Sequence, residues 1–431
     1  MPPAATDATT RTTVSTEGRG LQAVVAVLVQ IVVAVVYSWS VMRGPLTALH
    51  GWSKAETIAP YRYNLVLVSL GAILGGFLQD RKGSRLVASI GGLLIALGCV
   101  LCALYGDTVG GLILGYGVLA GLGSGFAYVT PIANLVKWFP DKRGTMVGLA
   151  VMGSGMSPLF WSPLIENFIG HDATRFHESI PRTFFIMAAI FAVAIIGAAQ
   201  FYRVPPAGWR PSGWKSSVEV VHREVSSKAM LGTWQFYALW VAFVLGASVG
   251  LTAIGQASQL IQEVARTSAP ISLGVAVGLL GIFNGSGRLT WGTVSDRLGR
   301  KVALLAMSAV SVTACLAFLR SASSFWGVFI GLCLVAFAYG GFFALMPAFT
   351  ADYYGQSSIG GNYGLVFSAF GFCGFVVPGY FESLLDRARA AGNLVGGYSE
   401  VYWKLAILSA IVALMAALLR APSASMKGGE K

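Results

Sequence analysis

Arg288 lies within the apolar run LGVAVGLLGIFNGSGRLTWGTV (273–294). A guanidinium at that depth of a hydrophobic helix costs at least about 2.5–3.5 kcal/mol to insert, so it faces a cavity or a partner. Its planar fork suits a carboxylate, held by two parallel hydrogen bonds. Asn284 stands four residues earlier, on the same helix face. It is placed to orient the guanidinium or to meet a ligand hydroxyl. Tyr339 and Phe343 share a face by the same spacing, as do Phe367 and Phe370. Such rings can wall a pocket for a short alkyl chain, and Tyr37 and Tyr128 add candidate hydroxyl contacts. The bland alternative for each ring is helix packing; for Arg288 it is snorkelling to the helix end.

The acidic and imidazole groups lie elsewhere. All eighteen carboxylates fall in loops or near expected helix ends, and His50, His171, His177 and His222 lie outside the apolar centres. The sequence therefore offers no buried Asp/Glu/His relay. A proton moving with an anion would ride on the ligand's own carboxyl group. No HExxH, nucleophile elbow or nucleotide loop is present, which argues against an enzyme. The five cysteines sit in apolar runs with no metal-ligand spacing. No cofactor is implied.

These residues must be positioned by membrane helices. Of 431 residues, 55% are hydrophobic and 11% charged, less than half the charge of an ordinary soluble domain. The apolar residues come in blocks near the roughly 20 residues that cross a bilayer. We read helices at 20–42, 57–79, 86–105, 108–136, 144–169, 182–202, 231–262, 270–294, 302–320, 324–351, 361–385 and 402–420. Residues 1–19 read as a disordered tail, 20–202 as one six-helix bundle and 203–230 as a linker with a short surface helix. A second six-helix bundle covers 231–420, and 421–431 form a second tail. The fold class is thus an all-α membrane protein with twelve transmembrane helices in two pseudo-symmetric bundles. The net charge of +12 comes from short loops, so it points to the membrane and not to nucleic acid. Nineteen Lys and Arg fall on the side of the termini and eight on the other. That asymmetry places both termini in the cytoplasm, and a multi-pass cell (inner) membrane location follows.

The two halves repeat. GGFLQDRKGSR (75–85) is similar to WGTVSDRLGRK (291–301), pairing Gly76, Asp80, Arg81 and Gly83 with Gly292, Asp296, Arg297 and Gly299 at an offset of 216. The same offset pairs Gly125 with Gly341, Pro131 with Pro347, Gly148 with Gly364 and Gly155 with Gly371. Parallel six-helix repeats are the arrangement of a two-half transporter.

The paired GxxxDRxG loops resemble the signature of the major facilitator superfamily. That resemblance implies a gating role for Asp80, Arg81, Arg85, Asp296, Arg297 and Arg300, which would hold the halves together on the cytoplasmic side and release them in turn. The segments KWFPDKRGTMVGLAVMGSGMSP (137–158) and YSWSVMRGPLTALHGWSKAE (37–56) resemble the oxalate/formate antiporter family, and the first also resembles the monocarboxylate transporters. The resemblance implies a proton-linked carrier of small monocarboxylates of the lactate or pyruvate kind, with an organic anion exchanger as the alternative. Two departures bear on this. Where oxalate/formate antiporters carry a helix-11 Lys, this chain has Phe370, which disfavours a dicarboxylate. Where animal monocarboxylate transporters have an Asp four residues before the helix-8 Arg, it has Asn284.

Overall fold

A chain crossing hydrocarbon has no water to satisfy its peptide groups, so each apolar run bonds within itself as a helix. The computed structural model describes residues 18–206, 211, 224–264, 273–320 and 324–422. The outer parts of both expected tails and most of the linker lie outside the described residues. The described residues form twelve long helical passages: α1 Arg19–His50, α2 Lys54–Lys82, α3 Ser84–Tyr105, α4 Val109–Trp138, α5 Arg143–Ile169 and α6 Ala173–Ala199, then α7 Trp234–Gly255, α8 Leu273–Leu298, α9 Arg300–Leu319, α10 Phe325–Tyr354, α11 Ile359–Ala390 and α12 Leu394–Leu418. Ten are individually long and apolar enough to cross a membrane. The other two are α5 and α8, which pack against each other. Their glycines and polar residues serve a helix interface, which lowers their hydropathy.

Several boundaries differ from the sequence reading. The α1 passage continues past residue 42 to His50, which puts Arg43 inside it, and α12 begins at Leu394, eight residues before the expected start. Lys404 is therefore well inside a helix, paired with Glu400 at 2.7 Å. Hydropathy marks only the part of a helix in lipid; caps such as Asn393, whose side chain accepts from Gly396 N, carry the ends further. The run read as 231–262 is interrupted at Gln256 and resumes as the short helix Ala257–Val264. A five-residue helix, Ser227–Leu231, ends the linker.

The halves meet along two seams, α2 against α11 and α5 against α8. Both seams are glycine contacts, and they obey the 216-residue offset. A methyl group at Gly76 would lie 2.0 Å from the Gly360 carbonyl oxygen, and one at Gly292 would lie 2.2 Å from that of Gly144. Further along, a methyl at Gly148 would meet the Arg288 carbonyl oxygen at 2.4 Å, and one at Gly364 would meet that of Ala72 at 2.5 Å. Only hydrogen fits at these crossings. Small residues at contact positions are what close helix packing in lipid requires.

Candidate functional site

The α1 passage loses regular α geometry where it borders the interior. Residues Ala34–Ser38 form a single 3-10 segment between two α-helices. Irregular backbone at membrane depth is tolerated where it lines a cavity or is buried in protein, and this one does line a cavity. Val33, Ala34, Val36 and Tyr37 wall it on one side. Leu65 and Val68 of α2, Ser124 and Tyr128 of α4, Ser154 of α5, Phe343 of α10, and Phe367 and Phe370 of α11 close the rest. The space is about 30 Å³, room for about one or two waters. A three-carbon acid enters only if the walls separate. The wall is aromatic: Tyr128 stacks on Phe367 at 4.7 Å, Phe370 lies 5.4 Å from both Phe343 and Phe367, and no carboxylate or imidazole is among the lining residues.

Arg288 does not itself line this space: it stands behind two residues that do, Ser154 and Phe343, with 1% of its surface exposed. Its Nε donates to Asn284 Oδ1 at 3.0 Å, and Nη1 donates to the Val151 carbonyl oxygen at 2.9 Å and to Ser154 Oγ at 2.5 Å. The guanidinium lies 4.3 Å from the centre of the Phe343 ring, a cation–π contact. Every one of these partners is neutral, and among the described residues no carboxylate lies within ion-pair distance of it. A buried cation without a counter-ion favours an anion brought in from outside.

Asn284 does not line the cavity. It holds the arginine, and its Nδ2 donates to the Ala336 carbonyl oxygen at 3.3 Å. Tyr339 also stands back from the space. Its ring packs edge-on to Phe343 at 5.2 Å and against Gly250, where a methyl would meet it at 2.1 Å. Five of the expected site residues, Tyr37, Tyr128, Phe343, Phe367 and Phe370, share the one cavity.

A second constellation closes the face that carries the 2–3 and 8–9 loops, called here the basic face. Gly83 and Gly299 end α2 and α8 with φ of 85° and 94°, a conformation that glycine adopts without strain. The turn leaves Asp80 and Asp296 facing the opposite half. Asp80 accepts from Gly360 N at 3.2 Å and Gly361 N at 2.8 Å, at the start of α11. Asp296 accepts from Gly144 N at 2.9 Å and Thr145 N at 2.6 Å, at the start of α5. The acceptors are 216 residues apart, and so are the donors. A carboxylate on the free N–H groups of a helix start is favourable in both bonding and charge. Lys137 joins Asp80 at 3.3 Å, Arg300 joins Asp296 at 2.5 Å, and Asp352 links Arg300 at 2.8 Å to Arg143 of the other half at 2.6 Å. Arg81, Arg85 and Arg297, expected in this closure, are exposed. Among the described residues they form no ion pair across the halves. Arg81 and Arg297 each directly follow the capping Asp, so they point away from the contact it makes, and Arg85 lies in the first turn of α3.

The family profile of the Major Facilitator Superfamily matches residues 20–378. The chain belongs to that superfamily. It is a multi-pass membrane transporter of that type. It is 28% identical over 348 residues to the oxalate:formate antiporter of Oxalobacter formigenes, covering 80% of each chain. It is 27% identical over 357 residues to apicoplast pyruvate carrier 1 of Toxoplasma gondii, covering 70% of this chain and 64% of that one. A stretch of 93 residues is 37% identical to human monocarboxylate transporter 11, covering 22% of this chain and 20% of that one. In fold it is similar to the superfamily transporter FucP in its outward conformation, with TM-score 0.69 and 15% identity over 93% of this chain and 99% of that one.

Against the superfamily's two-half plan, the sequence reading missed Ser154, Val151, Asp352 and Arg143. The segment around Ser154 stood out for its resemblance, but a serine among glycines carries no sign of what it touches. Asp352 sits at the end of a helix with no motif around it. Its role appears only when α5 and α10 are brought side by side.

Proposed function

We propose that this superfamily member carries small monocarboxylates of the lactate or pyruvate kind, together with protons, by alternating access. The observation that supports this best is Arg288: a buried guanidinium directly behind the Ser154 and Phe343 wall of an aromatic cavity, with only neutral partners among the described residues. One cation and apolar walls suit one carboxylate with a short carbon tail. Protonating that carboxylate in the cavity would weaken its grip on Arg288, so the proton and the acid would leave together. No lining residue is an Asp, Glu or His that could carry the proton instead. By its excess of Lys and Arg, the basic face is the cytoplasmic one, with both termini there, in the cell (inner) membrane. The similarity to an oxalate:formate antiporter along most of both chains favours one second reading, exchange of two small organic anions.

The test is uptake of labelled L-lactate and pyruvate into proteoliposomes, with an inward proton gradient imposed or collapsed. The proposal expects gradient-driven uptake that Arg288→Ala abolishes. Counter-flow that ignores the gradient would favour exchange. Uptake that survives Arg288→Ala would remove the anion anchor.

A further inference from the structure

A guanidinium has two edges on which a carboxylate can sit bidentately, one formed by Nε and Nη2 and one by Nη1 and Nη2. In Arg288 both edges are half occupied. Asn284 takes the Nε hydrogen at 3.0 Å, from within the same helix. Val151 O and Ser154 Oγ take the Nη1 hydrogens at 2.9 and 2.5 Å, from α5 in the other half. Only Nη2 donates to nothing among the described residues. Ser154 is itself 1% exposed and donates to the Val151 carbonyl oxygen at 2.7 Å, so its oxygen is held toward the arginine.

We infer that Ser154 is a positioning residue that makes the anion grip of Arg288 depend on how the halves stand. This rests on the monocarboxylate reading. With the halves joined along α5 and α8, the anion meets one nitrogen of the fork. When α5 moves relative to α8, Ser154 and Val151 leave Nη1 and the fork is whole. The same bonds bolt the halves together, so an arriving carboxylate that captures Nη1 also loosens the seam. Ligand and serine compete for one set of hydrogens, and an equilibrium is shifted by a ligand only through such a difference between states.

Two readouts test it, with Ser154→Ala and the hydroxyl-retaining Ser154→Thr. The first needs no substrate. Spin labels at Lys82→Cys and Leu298→Cys, both exposed on the basic face, report the separation of the halves by pulsed dipolar spectroscopy. Ser154→Ala is expected to raise the separated population several-fold and Ser154→Thr to leave it as in the parent; an unchanged distribution in Ser154→Ala overturns the bolt. The second is pyruvate transport in proteoliposomes. Ser154→Ala is expected to lower KM about tenfold and to lower Vmax with it, because one Nη1 hydrogen is then open to the anion before the movement and the difference in grip between the two states shrinks. A merely structural lesion would lower Vmax and leave KM unchanged or raised, and that result overturns the inference. If the parent protein moves no short carboxylate, the substrate reading fails by itself and the spin-label measurement decides the bolt.

Discussion

Phe370 shows how one side chain sets what the cavity can hold. It lies 5.4 Å from Phe343, whose face Arg288 covers at 4.3 Å. A cation in place of Phe370 would stand one ring away from the guanidinium. Phe370→Lys is expected to let oxalate compete for transport and to cut L-lactate uptake at least tenfold, since a single carboxylate leaves one buried charge unpaired. Competition assays with oxalate, formate and L-lactate check this; unchanged lactate uptake would mean that Phe370 is remote from the anion. Asn284 acts one step further back. Asn284 shares the helix of Arg288, so its bond fixes the direction of the guanidinium however the halves stand; Asn284→Leu lets the guanidinium swing away from the anion, a loss of about 1.5–3 kcal/mol. The expected result is KM for pyruvate raised roughly tenfold or more, with the protein still folded by its thermal unfolding. A lone arginine in an apolar run was legible in the sequence because its cost is large and local. Whether a ring touches ligand or another ring was not, because helical spacing fixes the face of a residue but not its neighbour: Phe343 reaches the cavity and Tyr339, one turn away, does not.

Among the elements, the glycines of the two seams decide how the halves close. The repeat was readable as a shared offset, but spacing alone gave no reason for it. The contacts supply one: Gly76 meets Gly360 and Gly292 meets Gly144, each at a distance that excludes a methyl group. Gly76→Ala and Gly292→Ala are therefore expected to impair closure of the basic face to similar degrees, and uptake with it. Gly110→Ala, where a methyl would meet nothing within 4 Å, should match the parent protein. Uptake rates normalised to the protein inserted in the membrane check this. A normal rate in Gly76→Ala would show that the α2–α11 crossing is looser than it stands here. What the sequence could not convey at this scale was the break in α1. Ala34–Ser38 is as apolar as its flanks, so hydropathy runs through it without interruption. The α5 and α8 passages were legible as helices, although their composition is the least membrane-like of the twelve, because glycine and serine runs between charged loops still span the required length.

The whole molecule is held more firmly on one face than on the other. On the basic face, Asp80 and Asp296 each accept two backbone N–H groups across the halves and each has a cation beside it. Hydrogen bonds to charged groups contribute about 1.5–3 kcal/mol each, and these are partly shielded from water. On the opposite face, among the described residues, the ion pair across the halves is Arg62–Glu382, at 3.9 Å with the side chains 41% and 47% exposed. Such a pair contributes at most about 1 kcal/mol. The balance favours a resting state closed on the basic face, the state in which the structure stands. Because Asp80 and Asp296 bias one movement from separate seams, their effects should add in free energy. Asp80→Asn and Asp296→Asn each keep the side-chain shape but weaken the caps, and each is expected to raise the population separated on the basic face about tenfold. The double variant should make that state the major one, while Glu382→Gln should leave the distribution unchanged. The Lys82 and Leu298 spin labels measure all four. A double variant that stays closed would place the seal in the glycine seams themselves, with the two aspartates only decorating it.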